Sequence, residues 1–225
     1  MSDLQEPPGM LGTAKTKFGV VALASLVIGL AACGDDGGRG TAAHEAANGN
    51  AGTGAQDLDR FLMRKDEEPG FRRGALPEAL PRSGGTITGV KAFVEDMHLA
   101  PADARRLRSE GFISYAFEPI RGPRTAGITN VALYATAEGA KHSLAHELRT
   151  DVIRAFDPVA NLRRFTVPGI PGARGWTASK PRVGNLWWVQ GRCVLVLGNQ
   201  GPGPFAGPLS TGARAIYERT NGQCP

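Results

Sequence analysis

Four β-rich segments, residues 162–167, 174–178, 186–190 and 193–197, follow one another with short links, and this succession constrains the fold more than any other feature. Parallel neighbours need a crossover of roughly a dozen residues or more, so links this short impose antiparallel pairing. Gly191-Arg192 fits a two-residue hairpin turn with Gly first, the type II′ preference. That turn sets the register, placing Trp188 opposite Leu195 and Trp187 opposite Val196. Successive strand residues point to opposite faces, so the adjacent tryptophans lie on opposite sides of the sheet. Both faces of this hairpin are then apolar, as in a central strand covered on both sides.

The rest of the chain supplies the cover. Asp57 is placed to cap a short helix carrying Leu58, Phe61 and Leu62, and residues 72–85, rich in Gly, Pro and Arg, read as a loop. Val90, Phe93, Val94 and Met97 recur at helical spacing, and Pro101 opens a second helix with Ala104 and Leu107 inward and Gly111 at its end. Two β-rich segments, 112–117 and 128–135, precede Thr136, a suitable N-cap for a long helix over 137–155 with Ala140, Leu144, Leu148, Val152 and Phe156 as its apolar stripe. Pro208 starts a last helix carrying Leu209, Ala213, Ile216 and Tyr217. The expectation is an α+β domain over 57–225: a single twisted, mainly antiparallel β-sheet packed with helices.

The first 56 residues have a different texture. Lys15 and Lys17 precede an apolar run from Phe18 to Ala32 that ends in small residues, the layout of a secretory signal. An uncleaved membrane helix is the alternative, but such a span needs about 20 apolar residues, and this shorter run contains Gly19, Ser25 and Gly29. Residues 34–56 are Gly, Ala, Asn, Thr and Asp with almost no large apolar side chain, a composition that cannot offset chain entropy. They read as a flexible tether reaching roughly 26 Å, and His44 within it as a solvent-exposed residue.

Leu30-Ala31-Ala32-Cys33 resembles the lipobox of bacterial lipoproteins. The resemblance implies cleavage before Cys33, a diacylglyceryl group on its thiol, and a domain held by lipid on the extracytoplasmic face of the cell membrane. Residues 1–32 would then be signal peptide and 33–56 lipidated Cys and tether. With Cys33 acylated, Cys193 and Cys224 remain as a disulfide pair in an oxidising compartment, two separate thiols being the alternative. Removal of 1–32 takes Asp3, Glu6, Lys15 and Lys17, so the net charge of +5 is unchanged. The clusters Arg72-Arg73, Arg105-Arg106-Arg108 and Arg163-Arg164 read as solvated faces, with attraction to anionic lipid or wall polymer as the sharper reading. The extracytoplasmic address argues against nucleic acid as a partner. Residues 67–71 and 167–173, with the Cys193/Cys224 pair, look like features of uncharacterised actinobacterial lipoproteins, a resemblance that implies no activity.

Candidate chemistry is sparse. His142 and His146 stand one helical turn apart, but Glu147 follows the second His, so the zinc-protease order His-Glu-x-x-His is absent; His146 is expected toward solvent and His142 beside the apolar stripe. His98 has Glu95 and Asp96 nearby but no nucleophile in a Gly-x-Ser-x-Gly or Ser-x-x-Lys context. Residues 198–207 follow a strand and precede a helix as a phosphate loop would, yet Pro202 and Pro204 remove two donors, so a connecting loop is expected. No catalytic residue, metal site or cofactor is assigned. Trp176, Trp187 and Trp188 are the candidate lining of an apolar cleft for lipid, peptide or glycan. The expectation is a tethered binding or envelope-assembly module rather than an enzyme. A hydrolase of envelope material using His98, or a protein–protein scaffold, is the alternative.

Overall fold

Strand β3 (Phe112–Arg121) and strand β4 (Ala126–Tyr134) open the sheet, and the meander β5 (Arg163–Thr166), β6 (Arg174–Ser179), β7 (Arg182–Gln190), β8 (Cys193–Gln200) completes it. Two short strands, β1 (Arg72–Arg73) and β2 (Gly85–Thr88), share the outer edge of β3. The order is β1-β3-β4-β8-β7-β6-β5, and every pairing is antiparallel. The structure is a computed structural model that describes residues 57–64, 67, 72–73, 85–121, 125–149, 161–180 and 182–224. The expected signal peptide, Cys33 and the tether lie outside them. The architecture is therefore α+β, as the short links required.

Helices cover both faces. Helices α1 (Val90–Asp96), α2 (Pro101–Ser109) and α3 (Ala137–Glu147) pack on one face, and helix α4 (Ala206–Arg219) with a 3₁₀ turn at Leu58–Phe61 packs on the other. Trp187 joins the first apolar cluster with Phe93, Tyr115 and Phe117, while Trp188 joins the second with Leu195, Leu209 and Ile216. The register is the one the turn dictated, Trp187 opposite Val196 and Trp188 opposite Leu195, with Gly191 at φ 56°. Each such large side chain removed from water contributes roughly 1.5–3 kcal/mol, so the central hairpin anchors both layers at once.

Several local boundaries differ from expectation. Thr136 caps α3, its side-chain oxygen accepting from the Gly139 N–H at 3.0 Å. The helix ends at Glu147, however, where the Arg149 N–H bonds the His146 carbonyl at 3.2 Å in a tightened last turn. Residues 150–155 of the expected helix, and the stripe members Val152 and Phe156, lie outside the described residues. Asp57 precedes the 3₁₀ turn without a side-chain cap bond. The stretch read as a loop over 72–85 contains β1 and the start of β2, too short to carry a sequence period and formed by pairing with the long edge of β3. Strand β8 continues through Gly198 to Gln200 because β4 and β7 pair with it that far. Helix α4 begins at Ala206, with Pro208 in its first turn where an N–H has no intrahelical acceptor.

Cys193 and Cys224 are disulfide-bonded, with Cα atoms 5.8 Å apart across 31 residues. The bond ties the end of α4 to the start of β8. The Gln190 amide reinforces it, donating to Thr220 Oγ1 at 2.6 Å and to the Gln223 carbonyl at 2.7 Å.

Candidate ligand-binding site

The sheet register builds a polar floor beneath an otherwise apolar layer. On the face covered by α1–α3, one cross-strand row runs Thr166, Arg174, Trp187, Val196, Asn130, Phe117. The adjacent row runs Arg164, Trp176, Asn185, Gly198, Ile128, Pro119. Strand spacing of about 4.8 Å and side-chain rows about 7 Å apart make Trp176, Asn185 and Trp187 immediate neighbours. The indole centroids of Trp176 and Trp187 are 6.1 Å apart. Asn130 follows one strand beyond Gly198.

These four side chains are 4, 3, 1 and 2 % exposed for Trp176, Asn185, Trp187 and Asn130. The Nε1 of each indole and the Nδ2 of each amide are buried without a hydrogen-bond acceptor, as is the Tyr115 hydroxyl on the same face under α1. Such a group costs about 1–3 kcal/mol when left unpaired in an interior. Gly198 keeps the floor open between Asn185 and Ile128: a Cβ there would sit 2.7 Å from Asn185 Oδ1.

Two grooves open on this face between α3 and the outer strands. One, of about 570 Å³, is walled by Leu144, Leu148, Pro171 and Val189, with Lys141 and Arg174 at its sides. The other, of about 350 Å³, holds Arg164, Thr166, Arg174 and Trp176. Leu148 and Arg174 line both, so the two grooves adjoin. No Asp or Glu lines either groove among the described residues. Arg174 is exposed and stands opposite Trp187 in the register. Lys141 pairs with Glu138 at 3.6 Å on the outer surface of α3. The chemistry offered is donors below, cations at the rim and a hydrocarbon wall between them.

The three tryptophans named from the sequence therefore part company. Trp176 lines the smaller groove and Trp187 packs behind it, outside the lining of either groove, whereas Trp188 is fully buried in the opposite layer, its Nε1 donating to Gln190 Oε1 at 3.3 Å. The amides Asn130 and Asn185 were missed, although each is visible as a polar residue inside an apolar strand.

A second buried polar cluster joins α2 to α3. Arg106 Nη1 donates to both carboxylate oxygens of Glu110 at 2.9 and 3.2 Å, and Arg106 lies 3.6 Å from Glu147 and 4.0 Å from Asp103. Tyr134 and Ser143 share a hydroxyl–hydroxyl bond of 2.7 Å, and Ser143 also bonds Glu110. Glu147 is 3 % exposed. Burial pushes its carboxyl up to about 8 despite Arg106, with the Glu110 and Asp103 charges adding to the rise. Glu110 is raised by burial as well, against the pull of Arg106. Burial and the nearby carboxylates also push the Tyr134 hydroxyl up.

The histidines are arranged opposite to expectation. His142 is exposed and 3.1 Å from Glu138, whereas His146 is half-buried. The buried face of α3 runs through Gly139, Ala140, Ser143, Leu144 and Glu147, rotated from the expected stripe, so His146 borders it and His142 does not. No cluster of three or more His, Cys, Asp or Glu able to hold a metal occurs among the described residues. His98 is exposed just past α1 at φ 51°, and Glu95 pairs with Lys91 at 4.0 Å in solvent. No described helix is long and apolar enough to cross a membrane.

No protein-family model matches this chain, and no curated protein matches it. Among solved structures, the extracellular domain of PknH from Mycobacterium tuberculosis aligns with a TM-score of 0.41 and 11% identity, over 71% of this chain and 94% of that chain.

Proposed function

We propose that this chain is a lipid-anchored, extracytoplasmic binding protein whose ligand seats on the α3-covered face of the sheet, in the adjoining grooves beside Trp176. The observation that carries the binding reading is the run of unpartnered buried donors on one face, beside grooves with no carboxylate in their lining. A core meant only to pack would replace those groups with apolar ones or give them acceptors. A binding site leaves them for the ligand. The anchoring half of the reading is supported by Leu30-Ala31-Ala32-Cys33 after its apolar run, by the low-complexity tether, and by a Cys193–Cys224 disulfide suited to an oxidising compartment.

Two measurements test the two halves separately. Cys33→Ser should abolish fatty-acid labelling and leave the precursor uncut; labelling that survives refutes the anchor. Native mass spectrometry of the protein isolated from its own membranes should show a retained small molecule that Asn185→Leu releases. A bare wild-type mass, with no tryptophan fluorescence response to lipid and wall extracts, refutes ligand binding.

A further inference from the structure

Resting on the binding reading above, the geometry points to an amphiphile with an anionic oxygen head as the ligand: a phosphate or carboxylate at Arg174, and a hydrocarbon chain along α3. Unpartnered donors on this face are Trp176 Nε1, which belongs to the lining of the smaller groove, and behind it Trp187 Nε1 and the Nδ2 atoms of Asn185 and Asn130. An indole N–H can donate and cannot accept, so the two tryptophans exclude a donor-rich partner from that end. The smaller groove puts Arg164, Arg174 and the Thr166 hydroxyl around Trp176, without a carboxylate to repel an anion. A guanidinium binds a phosphate or carboxylate through paired N–H···O bonds. Arg174 has no ion-pair partner among the described residues.

The larger groove has the other half of the chemistry. Leu144, Leu148, Pro171 and Val189 form an apolar wall of the size a medium-length alkyl chain fills, and it meets the smaller groove at Leu148 and Arg174. Lys141 stands at its outer side. An uncharged glycan would leave that wall without a partner and Arg174 without an anion; a simple alkane would leave the donors unpaired. A head-and-chain molecule satisfies both ends. Asn199, on the opposite face, also lacks a hydrogen-bond partner, but it stands between Gly127 and Gly184 and lines neither of these grooves. The polar run beside Arg174 reaches an opening at Trp176.

The test uses the full chain held in phosphatidylcholine nanodiscs, with tryptophan emission as the readout and octyl phosphate, 1-octanol and inorganic phosphate as probes. Octyl phosphate should shift the emission saturably and bind at least about tenfold tighter than 1-octanol, and inorganic phosphate should bind too weakly to detect in the same range. Arg174→Gln should remove that preference, bringing the two octyl probes to about equal affinity. Arg174→Lys, which keeps the charge, should retain part of it. Arg174 is exposed, so an unchanged melting temperature is expected for both variants. The same head can come from a membrane or from solution. Phosphatidylglycerol in the nanodisc that competes with octyl phosphate assigns a membrane lipid; absence of competition assigns a free amphiphile. Equal binding of octyl phosphate and octanol to the wild type, or a preference untouched by Arg174→Gln, overturns the inference. No binding of octyl phosphate by protein stripped of a native ligand that it is shown to retain overturns the ligand class and leaves the binding reading standing.

Discussion

Glu147 makes the stability of this domain fall as pH rises across the neutral range, and Glu147→Gln should remove that fall. Its carboxyl is buried and titrates near 8 in the folded chain, against 4.5 for the ordinary group. The folded state therefore holds a proton that the unfolded chain releases between those values. A raised carboxyl contributes its full stability below the unfolded value and loses it as pH climbs through the folded one. Each pH unit inside the window costs about 1.4 kcal/mol; allowing for partial titration at both ends, the loss from about pH 5 to about pH 8 is roughly 3–4 kcal/mol. Glu110, also raised, adds in the same direction. Urea denaturation at a series of pH values measures the effect, since a slope of about 2 kcal/mol per molar turns the loss into a midpoint shift of about 2 M. Histidine titration enters wild type and variant alike and cancels in their difference. The amide that Glu147→Gln introduces cannot ionise, so the variant should match the wild type near pH 5 and exceed it increasingly toward pH 8. Parallel curves, or a wild type that gains stability over this range, refute the assignment of Glu147 as a protonated interior carboxyl.

Two further outcomes follow from the opposite layer. Reduction, or Cys224→Ser, should cost roughly 3–4 kcal/mol for a loop of this length on the chain-entropy model, and intact-mass analysis with alkylation should find these two thiols only after reduction. Gly184→Ala should destabilise by about 1–3 kcal/mol, because the added Cβ would come within 2.5 Å of the Phe205 Cβ at the start of α4; a thermal melt unchanged within a degree or two would mean that α4 yields more easily than its packing suggests.

The hairpin and its neighbours were legible because their signal is local. A Gly-first turn and an apolar run on each side fix the register, and the register fixes which side chains share a face. Thr136 could be placed as a cap for the same reason. The Arg106 cluster was not legible. Arg105, Arg106 and Arg108 look alike in sequence as a solvated basic run, yet Arg105 and Arg108 are exposed while Arg106, one position before the buried Leu107, turns under α3. Asp103 and Glu110 stand at helical spacing from Arg106, but Glu147 comes from another helix, and that long-range partner, which turns the local pairs into a buried cluster, leaves no mark in the neighbouring sequence. The edge strands β1 and β2 were hidden for a related reason: each exists through pairing with β3 rather than through any pattern of its own. Asn130 and Asn185 are an intermediate case. Amides inside apolar strands are visible, but only the cross-strand rows reveal that both face the same layer as Trp176 and Trp187.

The division of labour between the two faces follows from where the constraints lie. On the α4 face the disulfide, the Gln190 bonds and an Arg219 clamp lock the C-terminal helix in place. The Arg219 guanidinium donates to the carbonyls of Arg60 and Leu62 and to the Glu67 carboxylate. That layer is closed covalently and by long-range polar bonds, and its tryptophan has an acceptor. The α3 face has no covalent tie among the described residues, its helix ends after eleven residues, and its tryptophans and amides lack acceptors. A site needs a rigid support and a surface whose polar groups are still free to bind. Because Trp187 and Trp188 are consecutive on β7, the locked layer fixes the backbone from which the floor of the grooves projects. Loosening α4 should therefore disturb ligand binding on the far side of the sheet without touching a groove residue, and Cys224→Ser gives the means to see it. If that variant binds octyl phosphate as tightly as the wild type while its stability has dropped, the two faces are mechanically independent, and the grooves do not need the α4 layer as their support.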